Sequence, residues 1–512
     1  MEDTSERLSF EIRHVLDIAS SLNAERDPQR LLARILESMR QLTGADAGTL
    51  YVVESAPGGA RALRFKVSQN DTLGDSDLPQ GLLPIDMTSI VGWVVTHRRP
   101  LNLPDVDHLP PFGITFNRSF DLRAGYRTRS MLTVPLMTAD GEVLGAVQLI
   151  NRKRDPSAKL VDLAAVPDQV SPFSSRDEQL AISLAGAASI ALANARLTRE
   201  IRQLFDGFVR AAVFAIDARD PCTSGHSLRV SRLTTALAEA AAQDARFAGR
   251  LELNEARLRR LEYAALLHDF GKIGVGEDVL LKAKRLYPHE LSALEQRFDV
   301  AALSAEVDVL RRVVRGELDA ATGDRQIKDY RDELGETLAR LVRANEAGPL
   351  DGDTRAFVET LAGQRWQYRE DAGRPFLTAR EHECLTVQFG SLTQDERRAI
   401  EAHVVHTRRF LEQIPWGREL DGLAEIAALH HEKLDGSGYP GGLGADAIPV
   451  ESRIITVADI YDALTAADRP YKSSLPHEAA RDILWSEADR GRLDADLVDV
   501  FIQAGVDRVL TR

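Results

Sequence analysis

The chain has 512 residues, 44% of them apolar, enough to bury more than one core, so a small stapled scaffold is excluded and several domains are expected. A formal charge of −14 disfavours diffuse binding to a nucleic-acid polymer but leaves room for a local basic pocket that takes a phosphate-bearing ligand. Two cysteines, Cys222 and Cys384, exclude a disulfide framework and fit a reducing compartment.

Residues 1–25 are charged and mixed, with no apolar signal core, and 8–40 read mostly as helix, with an amphipathic stripe in LLARILESMRQL at 31–42. Strands are expected at 47–53, 62–67, 131–137 and 143–150, the last two joined by a TADGE turn at 138–142, with a short helix and an extended exit in 89–106. This pattern predicts an α+β domain on an antiparallel sheet over 26–170. Ser175 with Glu178 reads as a capping box opening a connector helix over 175–210. Its apolar stripe runs through Leu180, Leu184, Ala188, Leu192, Ala195, Leu197, Ile201, Leu204 and Phe208. Such a helix is a spacer with a homodimer seam, or an element that passes a shift between domains. Residues 211–512 read as an all-α domain, with an insertion at about 290–390 in which 303–318 and 331–345 predict a helical hairpin. The richest apolar runs, 180–193 and 211–216, are short or interrupted, so no membrane span is expected and the location predicted is cytoplasmic.

The chemistry concentrates in the all-α part. ALLHDFGKIGV places His268 and Asp269 at the end of an apolar helix, with Lys272 just beyond. A lone His-Asp pair is more often a cap beside a polar-boundary histidine. Here GHSLRV adds His226, HVVH adds His403 and His406, ALHHE adds His430 and His431, and RIITVADIYDAL adds Asp459. A carboxylate flanked by Val457, Ala458 and Ile460 is costly unless paired or coordinated. Two divalent ions fit this set, with His226, His268 and Asp459 around one, His403, His430 and His431 around the other, and Asp269 between them. A water held between two such ions loses a proton and attacks phosphorus in line, which favours phosphoester hydrolysis. Lys272 either binds a phosphate oxygen or is a solvated lysine at a helix end.

GHSLRV, HDFGKIG, AHVVH, HHEKLDGSGYP and VADIYDALTAADRPYK, in this order, resemble the HD-GYP family of cyclic-di-GMP phosphodiesterases over about 211–285 and 392–485. The resemblance implies that His226, His268, Asp269, His403, His430, His431 and Asp459 are metal ligands and that Lys272 is the catalytic lysine, working with Asp269. It also implies that Gly438, Tyr439 and Pro440 form the signature loop and that Arg469 and Lys472 contact ligand phosphates. The product would be linear pGpG, with further cleavage to GMP left open, and cellular supply with oxygen-rich coordination favours iron or manganese as the metals. Some members carry a glutamate four residues before the first ligand histidine to support a third metal; here Cys222 stands there, so two metals are expected. A related phosphohydrolase for another nucleotide, and a receptor that binds cyclic-di-GMP without turnover, remain open.

LTGADAGTLYVV, IVGWVVTHRRPLNLPDV, GYRTRSMLTVPL and GEVLGAVQLINR resemble a GAF domain over 26–160. That resemblance implies a small-molecule sensor or a dimerisation module. Asn117, Arg118, Phe120 and Asp121 are similar to the polar motif of its cyclic-nucleotide-binding members.

Overall fold

The computed structural model describes residues 27–55, 60–74, 82–219, 225–367, 373–466 and 474–510. The helix expected within 1–25 therefore lies outside the described residues. The chain divides into two compact units, 1–205 and 206–512.

In the first unit, seven antiparallel strands form one sheet: β1 (Ala45–Ser55), β2 (Arg61–Asn70), β3 (Leu82–Pro84), β4 (Leu101–Leu103), β5 (Met131–Met137), β6 (Val143–Lys153) and β7 (Val170–Ser171). Their order is β3-β2-β1-β6-β5-β4, with β7 on β6. Alternation sets the layers. Leu132, Val134 and Leu136 of β5 and Val147 and Leu149 of β6 join Leu31, Ile35 and Met39 of the helix Pro28–Thr43 in one core. On the opposite face, Val91 and Val95 of the helix Ile90–His97 pack with Tyr51 and Ala146, and its Ile90 and Val94 with Leu101 and Met131. The α+β expectation holds, with strands a few residues longer than the apolar runs suggested and two short pairings, β3 and β7, that no alternation announced.

The long helix Ser175–Arg219 runs nine residues past the expected end of the connector. Its cap differs from the expectation. The Ser174 amide and hydroxyl both donate to Asp177 Oδ2 at 2.7 Å, and the Asp177 amide donates back to the Ser174 hydroxyl, so the capping box lies one residue earlier. Glu178 instead accepts from the Asn102 side chain at 3.2 Å. By length and composition this helix meets the criterion for a membrane span, one that a core helix packed inside a protein meets as well. Ala181, Leu184, Ala185, Ala188 and Ala191 are buried in the sheet's core.

Among its described residues the second unit is helical apart from one pair of two-residue strands, Arg365–Trp366 and Arg374–Pro375. Helices His226–Gln243, Glu255–Leu267, Leu423–Ala428 and Val450–Thr465 share one core, which includes Val230, Leu237, Ala264, Leu267, Ala427 and Val457. The insertion has a core of its own, in which Leu294, Phe298 and Ala301 meet Leu334, Leu341, Val358 and Trp366. Its helical hairpin is Pro288–Val314 with Ala320–Ala344, turning over 315–319 rather than the expected 319–330. The insertion leaves and returns at adjacent points. Buried Lys282, ahead of it, donates to both Glu396 oxygens beyond it, at 2.7 and 2.8 Å, and the Arg285 guanidinium donates to the carbonyls of Ala344, Gly348 and Val387.

Candidate metal centre

Each candidate ligand sits where a helix begins, ends or passes a closely packed neighbour. His226 opens the helix His226–Gln243 behind Gly225, which takes a left-handed φ of 72°. Asn254 caps Glu255–Leu267 by accepting from the Arg257 amide at 2.8 Å, and that helix delivers His268 and Asp269 at its far end. His403 opens His403–Leu411, His430 and His431 follow Leu423–Ala428, and Asp459 lies within Val450–Thr465. Gly271 allows the close approach: a Cβ there would lie 1.8 Å from the His403 carbonyl oxygen. The Thr407 hydroxyl fastens the same junction, accepting from the Gly271 amide at 2.8 Å and donating to the His268 carbonyl at 2.9 Å.

Two groups of side chains result, Asp269 with His403, His430 and His431, and His226 with His268 and Asp459, the ligating atoms of each within 4.8 Å of one another. Asp269 faces both: Oδ1 lies 3.3 Å from His403 Nε2, and Oδ2 lies 3.4 Å from His268 Nε2 and 3.7 Å from His226 Nε2. Asp459 Oδ1 is 3.1 Å from His226 Nε2. The Lys272 ammonium reaches Asp269 Oδ2 at 2.9 Å while keeping some exposure.

The decisive atoms are imidazole nitrogens. Nδ1 of His268, His403 and His430 bonds the carbonyl three residues back, of Ala265, Ile400 and Ala427, at 2.6–2.7 Å. A carbonyl only accepts, so Nδ1 carries the proton and the Nε2 lone pair points inward. All three Nε2 atoms are buried without a hydrogen-bond partner. A buried acceptor left unmade is costly, and three converging on carboxylates fit a first-row divalent cation. The electrostatics agree. Burial pushes the His431 imidazole down to about 4, with the His403 ring adding to the effect, and drives His430 well below its ordinary value. Burial would raise Asp269, but Lys272 and His268 hold it well below the carboxylate range. Burial likewise opposes ionisation of Asp459, and His226 outweighs it. Burial would lower His226, but Asp459 and Asp462 raise it to about 9, so a cation binding at Nε2 displaces a proton.

Several supporting groups were not foreseen. Asp462 accepts from His226 Nδ1 at 2.7 Å and from Arg229 Nε at 2.7 Å, orienting the ring. It lies three residues after Asp459 in the same apolar helix, and that repeated carboxylate was the available signal. Buried Glu432 accepts from the amides of Gly441 at 2.6 Å and Leu443 at 2.8 Å and so ties down the loop after the histidine pair. The Thr456 hydroxyl donates to the His430 carbonyl at 2.7 Å.

In the GSGYP turn, Asp435 Oδ1 accepts from the Ser437 amide and hydroxyl at 2.9 and 2.6 Å. Gly438 has no room for a side chain, since a Cβ would lie 2.4 Å from the Lys433 amide nitrogen. The Tyr439 ring, which precedes Pro440, lies 4.8 Å from the His431 ring, at the rim of the centre. Arg469, Lys472 and Cys222 lie outside the described residues.

The amino-terminal candidates do not converge. Arg118 pairs with Asp107 on the surface, Asn117 accepts from the Ser119 amide at 2.9 Å, and Phe120 is exposed. Both Asp121 oxygens are taken by Thr128, at 2.8 and 2.9 Å. A cleft of about 730 Å³ in that unit is lined by other residues, including Val52, Arg61, Lys66, Val143 and Arg196.

Residues 27–192 match the GAF domain family, and residues 223–345 and 382–497 match HD domain families. A cyclic di-GMP phosphodiesterase response regulator, RpfG of Xanthomonas campestris pv. campestris, is 38% identical over 184 residues, which are 33% of this chain and 47% of that protein. A 3'3'-cGAMP-specific phosphodiesterase 1 of Vibrio cholerae is 40% identical over 114 residues, 22% of this chain and 26% of that protein. The matched stretches thus span less than half of either relative. The GAF domain of a phosphoenolpyruvate-protein phosphotransferase from Coxiella burnetii covers 37% of this chain and 96% of its own, at 19% identity and a TM-score of 0.29.

Proposed function

We propose that the chain, which joins a GAF domain to an HD domain carrying the HD-GYP motifs, is a metal-dependent phosphodiesterase that hydrolyses cyclic-di-GMP to linear pGpG. The observation that carries this reading is the set of three buried, unpartnered Nε2 atoms facing Asp269. The seven side chains would hold two divalent ions, iron or manganese, which when bound supply an acidified water and neutralise phosphate oxygens.

The chain's own residues do the rest. Asp269 faces both ligand groups and keeps its charge through Lys272, whose ammonium is near enough to the surface to meet a phosphate oxygen as negative charge grows on it. Asp462 and Arg229 fix the His226 ring, and Glu432 holds the turn so that Gly438, Tyr439 and Pro440 border the substrate. Arg469 and Lys472 take its phosphates. The GAF domain regulates turnover, in a cytoplasmic homodimer.

A second reading, a mixed 3′3′-linked cyclic dinucleotide as substrate, draws on the Vibrio cholerae relative's name. Metal-reconstituted protein incubated with a panel of cyclic dinucleotides, followed by product identification, separates the two. The proposal requires cyclic-di-GMP to open fastest, and preferential opening of another ring would replace it with the second reading.

A further inference from the structure

The helix Pro288–Val314 is apolar on two opposite sides. Leu294, Phe298 and Ala301 enter the insertion's core. Val309 and Val313 face the neighbouring helix, where a Cβ on Gly323 would meet them at 3.5 and 2.8 Å. The residues at helical spacing in 303–318, Leu303, Val307, Leu310 and Val314, are not the ones that face that helix. Val300, Leu303, Val307 and Leu310 are 41–56% exposed and Val314 is 87% exposed. A helix with a second apolar stripe on its far side needs a second cover.

The spacing says what covers it. The five residues recur at intervals of three, four, three and four, a heptad seam with valine at every a position and leucine at both d positions. β-Branched residues at a with leucine at d favour two parallel strands over higher assemblies. The seam extends about 21 Å along the axis at 1.5 Å per residue. Because the helix is already folded on the insertion's core, pairing does not carry the cost of ordering it.

Charge fixes orientation and register. With Val300 at a, Glu306 falls at g and Arg311 at e, five residues on. In a parallel in-register pair, g meets the following e of the other strand, so two symmetric Glu306–Arg311 contacts flank the Val307 and Leu310 layers. Glu306 also pairs with Arg331 of its own hairpin, which holds its carboxylate at the seam's edge. A groove lined by Leu303, Glu306, Val307, Ile327 and Tyr330 runs beside the seam, with room for the flanking side chains of a second strand.

We propose that the insertion is a self-association module, in which the Val300–Val314 seam docks on the same seam of a second copy of this chain as a parallel two-stranded coiled coil. This surface is separate from the metal centre and from the long helix Ser175–Arg219.

The test uses the full chain with Cys222→Ser and Cys384→Ser, so that a new thiol reports alone. Leu310→Cys, at a d position, should form a reductant-sensitive disulfide dimer under mild oxidation, while Asp308→Cys, at an outward b position, should not. Adding Glu306→Arg should lower the yield roughly five-fold, and adding Arg311→Glu as well should restore it. Circular dichroism confirms that each variant is folded. A folded Leu310→Cys chain that cross-links no better than Asp308→Cys, or a yield indifferent to the charge swap, overturns the proposal.

Discussion

Asp459 is buried in the middle of an apolar helix, and its Oδ1 faces His226 Nε2 at 3.1 Å. A buried carboxylate survives there only with a cation or a donor set around it. Asp459→Ala should lose metal and turnover together, on the order of 100-fold in metal affinity; metal analysis alongside product formation checks it, and full occupancy with unchanged turnover would remove Asp459 from the ligand set. Lys272→Ala separates binding from chemistry. It should keep its metal and slow about 100-fold, because its ammonium acts on charge that develops during the reaction. Asp462→Asn should weaken metal binding roughly 10–100-fold by releasing the His226 ring, an effect read by competition with a chelator. The candidate ligands were legible because each is an anomaly in its own segment, an imidazole or acid where apolar residues were due. Asp462 shows only as a second carboxylate three residues after Asp459, and its partner Arg229, 233 residues away, leaves no trace beside it; Glu432 directly follows the histidine pair, where an acid is unremarkable.

Elements were legible where one pattern dominated. β5 and β6 are near-continuous apolar runs, buried on both faces, and the expected strands stand, whereas the three-residue β3 is too short to form such a run. The stripe on Pro288–Val314 was visible, but its direction was not, since periodicity reports a face and not what lies opposite. The insertion's anchorage was invisible for the same reason. Lys282 and Glu396 meet across it, and there burial would raise the Glu396 carboxyl while hydrogen bonds from Lys282 and the Thr393 amide, with Arg380, hold it at about 2. A depressed carboxyl stabilises the fold above its ordinary value of 4.5, and the contribution is lost as pH falls through about 2. Glu396→Gln should therefore lower the melting midpoint on the order of 2–4 °C at pH 7, with the gap to the native chain closing between pH 4.5 and 2. A gap that stays constant over that range would show that the ion pair is not the insertion's clasp.

At the scale of the whole molecule, composition and motif order gave the two-part plan, an antiparallel α+β unit followed by a helical one, joined along a helix longer than expected. Apolar residues on that helix serve two ends: Leu184 and Ala188 enter the sheet's core, while Leu197, Ile201 and Leu204 remain exposed. The stripe's continuity hid the change of role, because the same 3.6-residue period serves packing within a unit and contact with a partner. The reaction proposed for the seven-residue centre is hydrolysis of cyclic-di-GMP. Its most direct test is to reconstitute the chain with iron or manganese, add cyclic-di-GMP, and follow linear product and bound metal together in the native chain and in Asp459→Ala. The native chain should yield pGpG in proportion to its metal content, and Asp459→Ala should show little product and reduced rather than absent metal, because its second ligand group stays intact. A fully metal-loaded native chain that binds cyclic-di-GMP and leaves the ring intact would contradict it.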